Sequence, residues 1–123
     1  METSTAQTIT VDVWLYGPLA RYGGEAARRA HANLKLELTA GSRMRDLLDH
    51  LALPSEERGI TFINGDLSAL PTLQPDLDLV LEDGDRVALF HLKSMWPAQY
   101  RHGAGTTPEF SRAMEERGQL FSR

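Results

Sequence analysis

The side chains able to do chemistry are scattered along the chain rather than grouped. His31, His50, His91 and His102 are its imidazoles, and their spacings match no metal-ligand pattern. Asp76, Asp78, Glu82, Asp83 and Asp85 are carboxylates of the kind that bind calcium. Yet Asp76-Leu77-Asp78-Leu79-Val80 lacks the third oxygen ligand and the central glycine of a calcium loop. These acids read either as solvated turns that keep the domain soluble or as a docking patch for a basic partner. Cysteine is absent, which excludes disulfides, thiolate metal sites and a cysteine nucleophile. No nucleophile elbow, phosphate loop or dinucleotide fingerprint occurs, and nothing in the sequence pairs a serine with a histidine. Neither a metal, a cofactor nor an enzyme acting alone is expected.

The 123 residues suit one domain. Charge within them is uneven. Residues 1–90 hold 8 basic and 14 acidic side chains, a net of −6, and residues 91–123 hold 5 and 3, a net of +2. Six acids from Asp66 to Asp85 meet no Lys or Arg in sequence. The total of −4 argues against a nucleic-acid partner. METSTAQTIT has no basic and apolar leader, and no apolar run approaches a membrane span, so the cytoplasm is the expected compartment, with no membrane contact.

Two segments alternate with period two. TITVDVWLY (8–16) turns Ile9, Val11, Val13 and Leu15 one way and Thr10, Asp12, Trp14 and Tyr16 the other. NLKLELT (33–39) turns Leu34, Leu36 and Leu38 inward. Between them residues 18–31 read as a loop turning at Gly23-Gly24. Met44, Leu47, Leu48 and Leu51 form a helical stripe, with Ser42 as the expected cap and Pro54 as the stop. ITFIN (60–64) reads as a strand ending at the tight-turn pair Asn64-Gly65. Residues 66–80 read as irregular, and RVALFHL (86–92) as the last strand. These elements predict an α+β domain: a small mixed sheet with one main helix on one face, the other face partly open beside Trp14.

Beyond Leu92 the character changes. Residues 93–105 carry Pro, Gly and aromatics without a period. Thr107-Pro108-Glu109 then reads as a capped helix start, with Phe110, Ala113 and Met114 as its apolar stripe and Gly118 as its end, leaving Leu120 and Phe121 to fold back.

VWLYGPLARYGG (13–24), LELTAGSRMRDLLDHL (36–51), FINGDL (62–67) and LEDGDRVALF (81–90) follow one another at spacings that resemble the β-grasp sulfur carriers. These are the small subunit of molybdopterin synthase (MoaD) and the thiamine-pathway carrier (ThiS). The resemblance implies a ubiquitin-like β-grasp over residues 8–92, with its first and last strands parallel and adjacent in the sheet centre. Residues 1–7 would then be a frayed N-terminus and residues 93–123 a C-terminal extension. In that fold Trp14 would neighbour Phe90 on the open face. Those two aromatics anchor a protein partner, or the chain's own tail covers them through Trp96, Phe110, Met114 or Phe121.

The carriers act through a C-terminal Gly-Gly that an adenylating enzyme activates and sulfur transfer converts to a thiocarboxylate. Counted on from Val87-Ala88-Leu89-Phe90, those positions hold Met95 and Trp96 here. Two functions follow. In the first, the domain has lost the carrier chemistry and binds non-covalently as a small subunit or adaptor of a larger enzyme. Trp14, Phe90, Trp96, Tyr100, Arg101, Phe110 and Met114 are then the partner-binding residues. In the second, the chain is a precursor trimmed in His102-Gly103-Ala104-Gly105 to end at Gly105, with Gly103 beside it, and an adenylating enzyme is the partner.

Overall fold

The computed structural model describes residues 7–28, 31–70, 73–92 and 105–121. Strand β1 (Thr8–Tyr16) buries Val11, Val13 and Leu15 completely and pairs antiparallel with β2 (His31–Thr39), as their alternation predicts. The connection is not a plain loop. Residues Gly17–Ala26 wind through successive 3₁₀ turns and bury Leu19 and Ala20 in the core. Apolar residues in such a segment carry no period, so the sequence did not reveal them. Gly23 is there for space, because a Cβ on it would collide with that of Ala32.

Helix α1 (Met44–His50) lays Met44, Leu47 and Leu48 on the sheet, with Leu51 just beyond its end. Its cap is Arg43 rather than Ser42. The Asp46 carboxylate in the first turn accepts the Arg43 N–H at 2.8 Å, while the Ser42 carbonyl accepts from Leu81 N–H at 2.8 Å. Ser42 therefore lies one residue before the cap position.

Strand β3 (Arg58–Ile63) turns at Asn64 and Gly65, whose φ values of 52° and 87° are those of a tight hairpin. It returns as β4 (Asp66–Ala69), within the segment the sequence leaves irregular. Four residues are too few to show alternation, and the hairpin turn alone supplies the pairing. Strand β5 (Arg86–His91) buries Val87, Ala88, Leu89 and Phe90, being covered on both faces. The sheet order is β2-β1-β5-β3-β4, with β1 and β5 parallel at the centre and every other pair antiparallel. The chain is thus an α+β protein built on a five-stranded mixed sheet.

Helix α2 (Pro108–Phe121) begins where the Thr107-Pro108-Glu109 signal predicts. It does not stop at Gly118, which keeps helical backbone. A glycine ends a helix by entering the left-handed region, and without that step it costs only about 1 kcal/mol. Among the described residues, no helix is long and apolar enough to cross a membrane.

Candidate functional site: an aromatic sheet face and the tail against it

Strand alternation builds two apolar layers. Val11, Val13, Leu15, Val87 and Leu89 face α1, while Ile60, Phe62, Leu67, Ala88 and Phe90 form a second cluster on the opposite face, joined by the half-buried Trp14 and Tyr16. The parallel register sets Trp14 beside Ala88 and Tyr16 beside Phe90. Tyr16 therefore takes the place expected for Trp14, stacking on Phe90 with ring centroids 4.5 Å apart. Trp14 stacks on Tyr16 at 6.2 Å and on the exposed His31 at 6.1 Å, and Phe62 meets Phe90 edge-on at 6.0 Å. A row of rings thus runs from β2 across the sheet to β3. Tyr16 was legible as the second residue after Trp14 on one strand face. Phe62 required knowing that β3 borders β5.

The tail covers the β3–β4 end of this row. Phe110 is 2% exposed and belongs to the second cluster. Met114, expected beside it, is 42% exposed. Trp96, Tyr100, Arg101, Gly103 and His102 lie outside the described residues, as does the side chain of Phe121.

Just ahead of α2 the tail joins the sheet. Leu67 N–H donates to the Gly105 carbonyl at 2.8 Å and Thr107 N–H donates to the Leu67 carbonyl at 3.0 Å, a parallel bridge centred on Leu67 and Thr106. Gly105 is therefore a fixed edge residue, and a Cβ on it would lie 2.8 Å from Asp66 Oδ1. The Thr107 hydroxyl accepts the Phe110 N–H at 3.2 Å, capping α2, and donates to Asp76 Oδ2 at 2.6 Å. Asp76 is 5% exposed, and the same oxygen accepts from the Ser68 hydroxyl at 2.7 Å. Nothing in the sequence around Asp76, which follows Pro75 and precedes Asp78, sets it apart from the acidic run.

Part of that run lies in the exposed turn expected of it, and part is bonded to the body. Arg45 reaches Asp78 at 2.8 Å and Arg43 donates to the Asp78 carbonyl, although no Lys or Arg lies near in sequence. Asp83 accepts Thr10 N–H at 2.7 Å, and Asp85 accepts Glu82 N–H at 2.9 Å and the Asn64 side chain at 3.0 Å. Three of the six acids, Asp76, Asp83 and Asp85, are thus bonded within a buried cap, a strand end and a turn, and Asp78 pairs with Arg45.

Two further polar clusters border the sheet. Asp12, its side chain 16% exposed, accepts from Asn33 at 2.7 Å, Lys35 at 2.8 Å, and Trp14 Nε1 and Arg86 Nε at 3.3 Å each. Burial works against its charge, but the bonds from Lys35, Asn33 and Trp14 outweigh it and bring its pKa down to about 2. At the opposite end Glu57 accepts the Tyr22 hydroxyl at 2.8 Å and Arg21, with His91 Nε2 3.8 Å away. The Tyr22 bond is the main cause lowering the Glu57 pKa; burial opposes it, and Arg21 and His91 add to it. Tyr22 is raised in turn, chiefly by the same bond.

Among the described residues, no three His, Cys, Asp or Glu side chains gather as a metal site. His31, His50 and His91 belong to β2, α1 and β5 respectively. What the arrangement offers chemically is recognition: backbone groups of an edge strand, a buried carboxylate that takes hydroxyl donors, and an aromatic slot. No protein-family model matches the chain, and no curated protein matches it as a relative.

Proposed function

We propose that the chain is a MoaD/ThiS-like β-grasp module that binds another protein non-covalently, as a small subunit or adaptor of a larger enzyme in the cytoplasm. The observation that carries this reading is the engagement of Gly105, whose carbonyl is bonded to Leu67 N–H while the chain runs on into a capped helix. A carrier needs the opposite, a free and extended glycine end that can enter another enzyme's active site. The absence of a Gly-Gly at Met95 and Trp96 supports the same conclusion. The β-grasp assignment rests on the parallel β1–β5 centre, the flanking antiparallel pairs and the single helix on one face. The half-buried Trp14 and Tyr16, backed by the buried Phe90, supply rigid aromatic area of the kind that anchors protein contacts.

Intact-mass measurement on the protein isolated from its native host tests the proposal. The expected result is the full-length mass in a complex with a larger protein. A mass ending at Gly105, with one oxygen replaced by sulfur, overturns it in favour of a thiocarboxylate carrier.

A further inference from the structure

We propose that the edge of β4 and the slot beside it form a recognition site for an extended partner segment of the pattern Thr/Ser-x-x-Phe, and that residues 105–110 are a resident copy which the partner displaces. The inference rests on the protein-binding reading and names where on the module the partner sits.

Three contacts define the site, and each reads one property of the segment. Leu67 offers both its N–H and its C=O to the tail, to Gly105 and Thr107. This is strand addition, which selects an extended backbone and no side chain in particular. Asp76 is buried and keeps one donor, Ser68, within the body, while the second comes from Thr107. A buried carboxylate that loses a donor is costly, so the site demands a hydroxyl at that position. Three residues later Phe110 fills a slot between Ile60, Phe62, Leu67 and Phe90. That spacing is one helical turn from the cap, so the hydroxyl and the ring arrive together only if the segment turns into a helix after the Thr.

Among the described residues, these contacts are the tail's main hold on the body. Ser111, Arg112, Met114, Glu115 and Glu116 are exposed, and Arg112 pairs with Glu109 of its own helix. The segment is thus attached over a few residues, at the place where a partner's strand would add.

The test uses the full-length protein and a fluorescent peptide with the sequence of residues 105–116, read by anisotropy. In the wild type the tethered tail competes at an effective concentration on the order of millimolar, so Phe110→Ala, which withdraws the competing ring, should bind the peptide about a hundredfold more tightly. Peptides carrying Thr107→Val or Phe110→Ala should lose at least about tenfold. The chain has no cysteine, so a second lock is clean: Asp66→Cys with Gly105→Cys, placed in the Phe110→Ala protein, should abolish binding when oxidised and restore it when reduced. If circular dichroism shows that Phe110→Ala is unfolded, Thr107→Val replaces it as the loosened protein. Equal binding to wild type and to the folded loosened variant overturns the proposal, and so does binding indifferent to both peptide substitutions. Either failure leaves the intact-mass result standing, so the site and the module reading fall separately.

Discussion

Thr107→Val probes the joint between tail and body with almost no change of shape. The substitution removes two interactions, the hydroxyl donated to buried Asp76 at 2.6 Å and the cap accepted from Phe110 N–H at 3.2 Å. A hydroxyl–carboxylate bond of this kind contributes about 1.5–3 kcal/mol, because the buried acceptor is left short of a donor. The cap, being long, adds about 0.5–1 kcal/mol. The expected loss is about 2–4 kcal/mol, and it has a ceiling, since the tail can lose no more than its whole docking energy before it leaves. Urea unfolding measures the loss, and amide exchange shows its form: Leu67 N–H and Thr107 N–H, which close the bridge to the tail, should lose protection. Thr107→Ser keeps both bonds and gives up one methyl, about 0.8 kcal/mol. Ser68→Ala removes the body-side donor to the same oxygen and should cost about 1.5–3 kcal/mol. If Thr107→Val lay within about 0.5 kcal/mol of Thr107→Ser, with Leu67 N–H equally protected, the Asp76 joint would not be what holds the tail.

Asp12→Asn should lower stability by about 1–2 kcal/mol at neutral pH, less than the full shift implies because Lys35 and Arg86 are solvent-screened. A depressed carboxyl pKa stabilises above the unfolded value and fades as pH falls, so the gap between wild type and variant in pH-dependent unfolding should close from 3.8 towards about 2. Gly59→Ala should be severe, about 2–4 kcal/mol by urea unfolding, since its Cβ would lie 2.7 Å from the His91 carbonyl and 2.9 Å from that of Phe90. Gly105→Ala meets only the end of the exposed Asp66 side chain, which can swing away, and should cost under about 1 kcal/mol. Tyr22→Phe should raise the Glu57 pKa towards its ordinary value in an NMR titration, because the hydroxyl is the largest cause of its depression.

What the sequence disclosed follows from where its signals were local. The period of residues 8–16, the stripe Met44-Leu47-Leu48-Leu51 and the Thr107-Pro108 start each sit within a few residues, and each appears as read. β4 was missed although its turn was seen: a two-residue Asn64-Gly65 turn requires a returning strand, and that inference outweighs the weak pattern of Asp66–Ala69. Leu19 was missed because its burial depends on how the Gly17–Ala26 turns fold back over the sheet. In the candidate site Phe110 was named from its stripe, but its partners Phe62 and Leu67 depend on strand order, and Asp76 on a hydrogen bond to a residue 31 positions away. Met114 shares the stripe of Phe110 and is exposed, since a helical stripe does not say how far along the helix the apolar surface reaches.

The charge division of the chain invites the view that a basic tail is drawn to an acidic body. The contacts give a different cause. Within the tail, Arg112 pairs with Glu109, and within the body Asp78 pairs with Arg45 while Asp83 and Asp85 accept from the Thr10 and Glu82 amides. The described join between the two is neutral on the tail side: two backbone bonds, one hydroxyl and one ring. Docking built this way is little affected by salt, which screens exposed charges within about 10 Å at 0.1 M. It responds instead to whatever competes for a strand edge and an apolar slot. A basic protein would therefore gain little at this surface, whereas a segment with its own hydroxyl and ring in register would gain everything the tail gives up.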